Sequence, residues 1–402
     1  MKKLLCLLFC LSAFSLFSQK MTYGTQHQMQ SEILGEERTY WVYVPGSYND
    51  PNWGKESYPV IYVLDGKSAF FPFCGVVDFM GGRESVNFQI PEVIVVGINT
   101  LDRDHVLTPN ATTKMPNGKE AETEAQKLMF VRSGGGEKFL QFLEEELFPK
   151  IESDYRTLPY RVYVGHSLGG LTSSYTLLKH PGIFDAYMAI DPSLWWDGGK
   201  YPSEAQPDLK DFKTEKVQRF YLSVIDTSGF PAMSLHVQSI FKLKEKLANY
   251  APANLHWEVD HMPDTDHSSI PLLSWYQGLK FIFEGYNLSH YGFMQNPDGI
   301  SSHFQQLKEN TGLDMPPSQS IFEIISHYRT APNRFPDADA ALYIIEMGLK
   351  YHPESPFLYE KLGRAYEMKD EKEKALSAYE KAFSLNPQNK ALETKLEELG
   401  KE

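Results

Sequence analysis

Between about residues 37 and 285, short apolar, β-branched runs alternate with longer stretches whose apolar positions recur every three or four residues. Thr39 to Val44, Val60 to Leu64, Val93 to Ile98, Val162 to Val164, Ala186 to Ile190, Phe220 to Ile225 and Leu255 to Val259 read as strands. Several are apolar on both faces, as strands are when helices cover the sheet from both sides. The clearest helix runs from Glu137 to Ile151. Phe139, Leu140, Leu143, Leu147 and Ile151 share one side of it, and Glu144, Glu145 and Glu146 hold the other. This alternation predicts an α/β class, with a mostly parallel sheet and helices on both faces. Residues 101–135 break the pattern: they are polar, with Pro109, Pro116, Gly118 and the run Gly134-Gly135-Gly136. A stretch of that length without periodicity reads as a functional loop or lid.

Gly and Pro recur around weak patterns from 286 to 316, and the character of the chain changes after them. Pro353 and Pro387 stand 34 residues apart, the period of the tetratricopeptide repeat. Counting back from Pro387, Tyr359, Leu362, Gly363, Tyr366, Ala375, Tyr379 and Ala382 fall where two antiparallel helices need small or aromatic contacts. Counting back from Pro353 gives a weaker copy, with Ala341 and Ile345 in register but Tyr328 and Arg329 out of it. A charged helix from Lys390 to Leu399 follows. The expected organisation is a leader at 1–18, an α/β domain at 19–290, a linker at 291–316 and a small all-α repeat unit at 317–402. About three repeats are needed for independent stability, so the unit is expected to lean on its neighbour.

Lys2 and Lys3 precede an apolar run from Leu4 to Phe17, which reads as a secretion signal cleaved after Ser18. The run is short for a bilayer, which needs about 20 apolar residues, and no membrane span is expected. The mature protein is placed in the periplasm or outside the cell. Of three cysteines only Cys74 would remain, without a partner for a disulfide, and it reads as a small buried hydrophobe. The formal net charge of −13 deepens once Lys2 and Lys3 leave, which argues against nucleic acid or an anionic membrane as partner.

The chemistry centres on Gly165-His166-Ser167-Leu168-Gly169-Gly170, between the strand signal Arg161 to Val164 and the helix signal Leu171 to Lys179. A serine nucleophile presented on a strained strand–turn–helix elbow needs this arrangement. Its base should come later in the chain. His261 and His267 both follow the last strand, and His267, ahead of Ser268-Ser269 and a helix signal, is the preferred candidate. His166 reads as a packing residue of the elbow. For the acid, Asp226 after the strand Phe220 to Ile225 is preferred, with Asp260, Asp264 and Asp266 as competitors and a Ser–His dyad as a further option. Trp195, Trp196 and Arg103 are candidate substrate contacts. No metal-ligand spacing stands out beyond His261 and His267, and no phosphate or dinucleotide fingerprint is present, so no metal or cofactor is expected.

From Thr39 to about Tyr286 the chain resembles the esterase family of α/β-hydrolases that includes enterochelin esterases, esterase D, feruloyl esterases and mycolyltransferases. The matching pieces are Tyr58 to Gly66, Arg103-Asp104 with Thr108-Pro109, the elbow, and Asp191-Pro192-Ser193-Leu194-Trp195-Trp196. The resemblance implies an oxyanion hole made by the backbone N–H groups of Leu168 and Lys67. It also implies that the acid varies in position, and Asp191 stands where the family often has Ser. The expected activity is hydrolysis of a small-molecule or glycan-linked carboxylic ester through an acyl-enzyme. Siderophore, feruloyl, acetyl-sugar and simple acyl esters all fit. Acyl transfer on the same fold is one alternative; a scaffold binding a protein partner, or self-associating, through the repeats is another.

Overall fold

All seven apolar runs become strands of a single sheet in the computed structural model, which describes residues 23–400 apart from residue 86 and residues 226–233. The expected leader and Asp226 lie outside the described residues. An eighth strand, β1 (Thr25–Ser31), precedes them. It is polar along most of its length and pairs antiparallel with β2 (Glu36–Tyr43) at the sheet edge, so no apolar stripe announced it. The others are β3 (Tyr58–Val63), β4 (Ile94–Ile98), β5 (Thr157–His166), β6 (Ala186–Ile190), β7 (Gln218–Ile225) and β8 (Leu255–Met262). Every residue of β3, β4, β6 and β7 is buried, as expected of strands covered on both faces.

The strand order is β1-β2-β4-β3-β5-β6-β7-β8, parallel from β4 through β8. From β3 the chain moves outward to β4, then returns to the other side of β3 as β5 and continues the opposite way. Crossovers are right-handed, so this reversal sends helices to opposite faces. Gly66–Gly81 and Ile270–Ile282 pack together on one face; Leu168–Lys179, Trp196–Lys210 and Ser234–Tyr250 pack in series on the other. The reversal also opens a crevice between the C-terminal ends of β3 and β5, the place where open α/β sheets bind ligands.

The predicted 137–151 helix is present but interrupted: Gly136–Phe142, a π turn at Leu143–Leu147, then Phe148–Asp154. Pro149 explains the interruption, because its ring would collide with the carbonyl four residues back in a regular helix. Residues 101–135 hold two short helices, Arg103–Val106 and Glu124–Leu128. Arg132 pairs with Asp102 within the segment, and Thr112 Oγ1 donates to Asp197 Oδ1 at 2.6 Å, which ties the segment to the start of Trp196–Lys210.

Where a linker was expected, His290–Gln295 and Gly299–Thr311 are helical. Five further helices follow: Gln319–Thr330, Ala338–Tyr351, Pro356–Glu367, Lys372–Leu385 and Lys390–Leu399. Ile321, Phe322, Ile344, Ile345 and Leu358 join the same buried cluster as the sheet, whereas Ala375, Tyr379, Ala382 and Leu392 form a small cluster of their own. Gln319 stitches the two regions, accepting from the Gly54 N–H at 3.1 Å and donating its own N–H to Glu56 Oε1 at 3.0 Å. Among the described residues no helix is long and apolar enough to cross a membrane.

Candidate active site

Strand β5 ends at His166, and Ser167 follows with φ 60° and ψ −115° as the residue ahead of helix Leu168–Lys179. That backbone conformation is costly for a residue with a Cβ, on the order of 1–3 kcal/mol, and persists only where the surroundings enforce it. They do so here. The Ser167 N–H donates to Ile190 O at 3.0 Å, its carbonyl accepts from the Ser193 N–H at 3.0 Å, and the helix turns back immediately. The turn is so tight that a Cβ on Gly165 would stand 2.2 Å from the Gly169 carbonyl oxygen, so only glycine fits.

Ser167 Oγ lies 3.0 Å from His267 Nε2. His267 sits on the loop after β8, just ahead of Ile270–Ile282. Its other ring nitrogen, Nδ1, meets a carboxylate at 2.5 Å, and that carboxylate is Asp191 Oδ2. Asp226 lies outside the described residues. Of its competitors, Asp260 accepts from the Tyr221 hydroxyl at 2.8 Å, and Asp266 accepts the Ser268 and Ser269 N–H groups of its own turn. His261 is exposed at the end of β8, against the ring of Phe241.

Asp191 is fully buried one residue beyond β6, with φ 39°. Burial pushes its pKa up, but donation from His236 and His267 outweighs that and holds it well below the usual carboxylate range. His166, whose ring centroid is 4.6 Å from that of His267, is kept uncharged instead. Burial first, then the neighbouring imidazole, lowers its pKa to about 4. It is therefore neutral near pH 7 and adds no repulsion when His267 takes up a proton.

The cleft in front of Ser167 measures about 650 Å³. Asp65, Arg103, Ser167 and His267 supply its polar wall; Pro72, Pro271, Leu272 and Trp275 supply the apolar one. Arg103 is positioned from behind, by Nε on Asp65 Oδ1 at 2.9 Å and Nη2 on the His166 carbonyl at 2.9 Å. Leu168 opens its helix, and Lys67 is the second residue of Gly66–Gly81. N–H groups in a helix's first turn have no acceptor within the helix, so both remain available to a substrate oxygen.

Neither Trp195 nor Trp196 lines the cleft. Trp196 is buried edge-on against Phe130, and Trp195 packs beside it, with ring centroids 5.9 Å apart. Trp196 holds the 101–135 segment through Phe130 and the Asn110 carbonyl, and the structure places neither indole in the cleft where a substrate contact was expected. Cys74 is fully buried and free, as read from its neighbours.

Asp191, His236 and His267 offer donor atoms within 4.8 Å of one another. A tetrahedral zinc would hold its ligand atoms about 3.3 Å apart. The 2.5 Å approach of Asp191 to His267 is too short to admit an ion, and His267 Nε2 faces Ser167, so the trio fits a hydrogen-bonded relay and not a metal centre. Asp191 and His236 were both missed as site residues. Asp191 had a usable signal, since it follows a predicted strand on the same edge as the elbow; His236 had none.

A parallel sheet with a serine elbow after β5 and a histidine after the last strand defines an α/β-hydrolase. Residues 31–223, just under half of the chain, match the family described as "Putative esterase". It is 35% identical over 183 residues to the ferri-bacillibactin esterase BesA of Bacillus subtilis, a match covering 43% of this chain and 60% of that one. It is 27% identical over 174 residues to the siderophore triacetylfusarinine C esterase of Aspergillus fumigatus, covering 40% and 53%. The chain thus spans less than two thirds of these relatives' lengths. An IroE-like serine hydrolase from Shewanella oneidensis superposes with a TM-score of 0.70 at 28% identity, over 82% of this chain and 99% of that one.

Proposed function

We propose that this chain hydrolyses siderophore esters through an acyl-enzyme on Ser167, after export to the periplasm or beyond. The observation that carries the reading is the unbroken line from Asp191 through His267 to Ser167 at the mouth of the cleft, with contacts of 2.5 and 3.0 Å. Ser167 Oγ attacks the ester carbonyl carbon while its proton passes to His267 Nε2. Asp191 holds Nδ1–H and stabilises the imidazolium. The N–H groups of Leu168 and Lys67 stabilise the oxyanion, at about 3 kcal/mol each. Collapse breaks the C–O bond, and His267 returns the proton to the departing alkoxide. Water, deprotonated by His267, then attacks the acyl carbon; the bond to Ser167 Oγ breaks, His267 returns the proton to Oγ, and the acid leaves.

The substrate class rests on the named relatives, two of which act on siderophores, and on Arg103, a fixed cation in the cleft wall that suits an oxygen-rich ligand. Residues 317–402, read as tetratricopeptide-like, serve as an accessory unit, since Ser167, His267, Asp191, Leu168 and Lys67 all precede them.

The test is labelling with a fluorophosphonate, mapped by peptide mass spectrometry, followed by turnover of ferri-bacillibactin, triacetylfusarinine C and p-nitrophenyl butyrate. Labelling at Ser167 with preference for a siderophore ester supports the reading. Absence of label overturns the nucleophile; label with turnover of the butyrate alone overturns the substrate class.

A further inference from the structure

The carboxylate at the back of the site serves two histidines. Asp191 Oδ2 contacts His267 Nδ1, while Oδ1 lies 3.0 Å from His236 Nε2 and 3.3 Å from the Ile225 N–H. His236 is the third residue of Ser234–Tyr250, the helix after β7, and its side chain is only 5% exposed. Among the described residues its Nε2 finds no other acceptor, and its N–H meets Oδ1 along a bent line. Its ring also stands edge-on to that of His267, with centroids 5.4 Å apart at 88°. A fully buried carboxylate can rotate about its last bond unless both oxygens are held. Here the Ile225 N–H alone is a long contact, so His236 supplies the second restraint.

We propose that His236 is a positioning residue: its Nε2–H fixes Asp191 Oδ1, so that Oδ2 stays on His267 and the imidazole keeps the Nε2 face toward Ser167. This rests on Asp191 acting as the acid in the proposed reaction. The chemistry needs the N–H at the Nε2 position specifically. A glutamine side chain carries an amide N–H to nearly that reach, whereas asparagine ends at the position of Nδ1.

The test compares His236→Gln, His236→Asn and His236→Phe in the full chain. The glutamine variant should keep kcat within about fivefold, while the other two lose 10- to 100-fold with KM changed less than twofold. In ¹H NMR, the far-downfield proton between Asp191 and His267 should persist in wild type and His236→Gln and be lost or moved upfield in His236→Asn. That readout needs no ester, so it decides the inference even if the wild type cleaves none of those tried. Should the phenylalanine variant fail to fold, the Gln/Asn pair carries the comparison. Equal kcat in those two, with the downfield proton unchanged in both, overturns the proposal, as does a loss that follows melting temperature alone.

Discussion

The rim of the sheet and the C-terminal helices are built on opposite terms. Of the non-glycine residues with positive φ, Asp65, Ser167, Asp191, Asp197 and Asp264 lie in turns after β3, β5, β6 or β8, all on the sheet's C-terminal edge. That edge also buries a charged carboxylate and, among the described residues, leaves His166 Nε2 without a partner. Between residues 319 and 399 Asp370 is the sole such outlier among those residues. Four of the five helices there carry a side-chain cap at Ser318, Asp337, Ser355 or Asn389. Local preference and global fold agree in the helices, whereas the rim holds conformations that the surrounding sheet must enforce. Strain and buried charge mark the rim; local consistency marks the helices.

The contrast is most exposed to Ser167→Ala. Turnover should fall by about 10⁴ to 10⁶ with no loss of stability, because the methyl group fits the same elbow. A variant keeping a tenth of wild-type activity removes the nucleophile from the rim and the contrast with it.

Next in size is Asp191→Asn, which should lower kcat by about 10² to 10⁴ at neutral pH, since an amide cannot hold the correct imidazole tautomer. Asp260→Asn and Asp266→Asn, whose carboxylates already serve Tyr221 and their own turn, should change it less than threefold. Steady-state kinetics on Asp226→Asn completes the set: a larger loss there than in Asp191→Asn would reassign the acid.

A matched pair of glycine substitutions compares the two regions directly. Gly165→Ala places a Cβ 2.2 Å from backbone in the elbow and should cost at least about 10² in kcat. Gly363→Ala places one 2.7 Å from the Tyr379 ring, a side chain that can shift. It should lower stability by about 1–2 kcal/mol in chemical denaturation and leave kcat within twofold. Comparable losses of activity in both would mean that the helices help to shape the site.

The last contrast concerns pH. Unfolded, His166 takes a proton near its ordinary 6.5; folded, only near about 4. The unfolded chain therefore binds more protons in that window, and stability falls as pH drops through it, by about 3 kcal/mol in total. His166→Phe should lose this component, so the stability difference between the two proteins should change by that amount from pH 7 to pH 4 in urea titrations. A constant difference would show His166 to be solvated.

Much of this was legible in the chain. Buried strands declare themselves by unbroken apolar runs, the C-terminal helices by apolar and small residues at helical spacing, and the elbow by a contiguous pattern whose strain demands glycine at fixed offsets. His267 followed from chain order. These signals are local, or depend only on sequence separation. The partner on His267 Nδ1 is neither: Asp191 lies 76 residues before it, and the two meet because β6 stands between β5 and β7 in the sheet. His236 reaches the same carboxylate from a helix on one face, and no spacing in the chain records that approach. Pairing and layering of strands bring such residues together, so the sequence by itself determined which serine and which histidine face each other at the crevice. Only the tertiary structure decided which carboxylate stands behind them, and what holds it there.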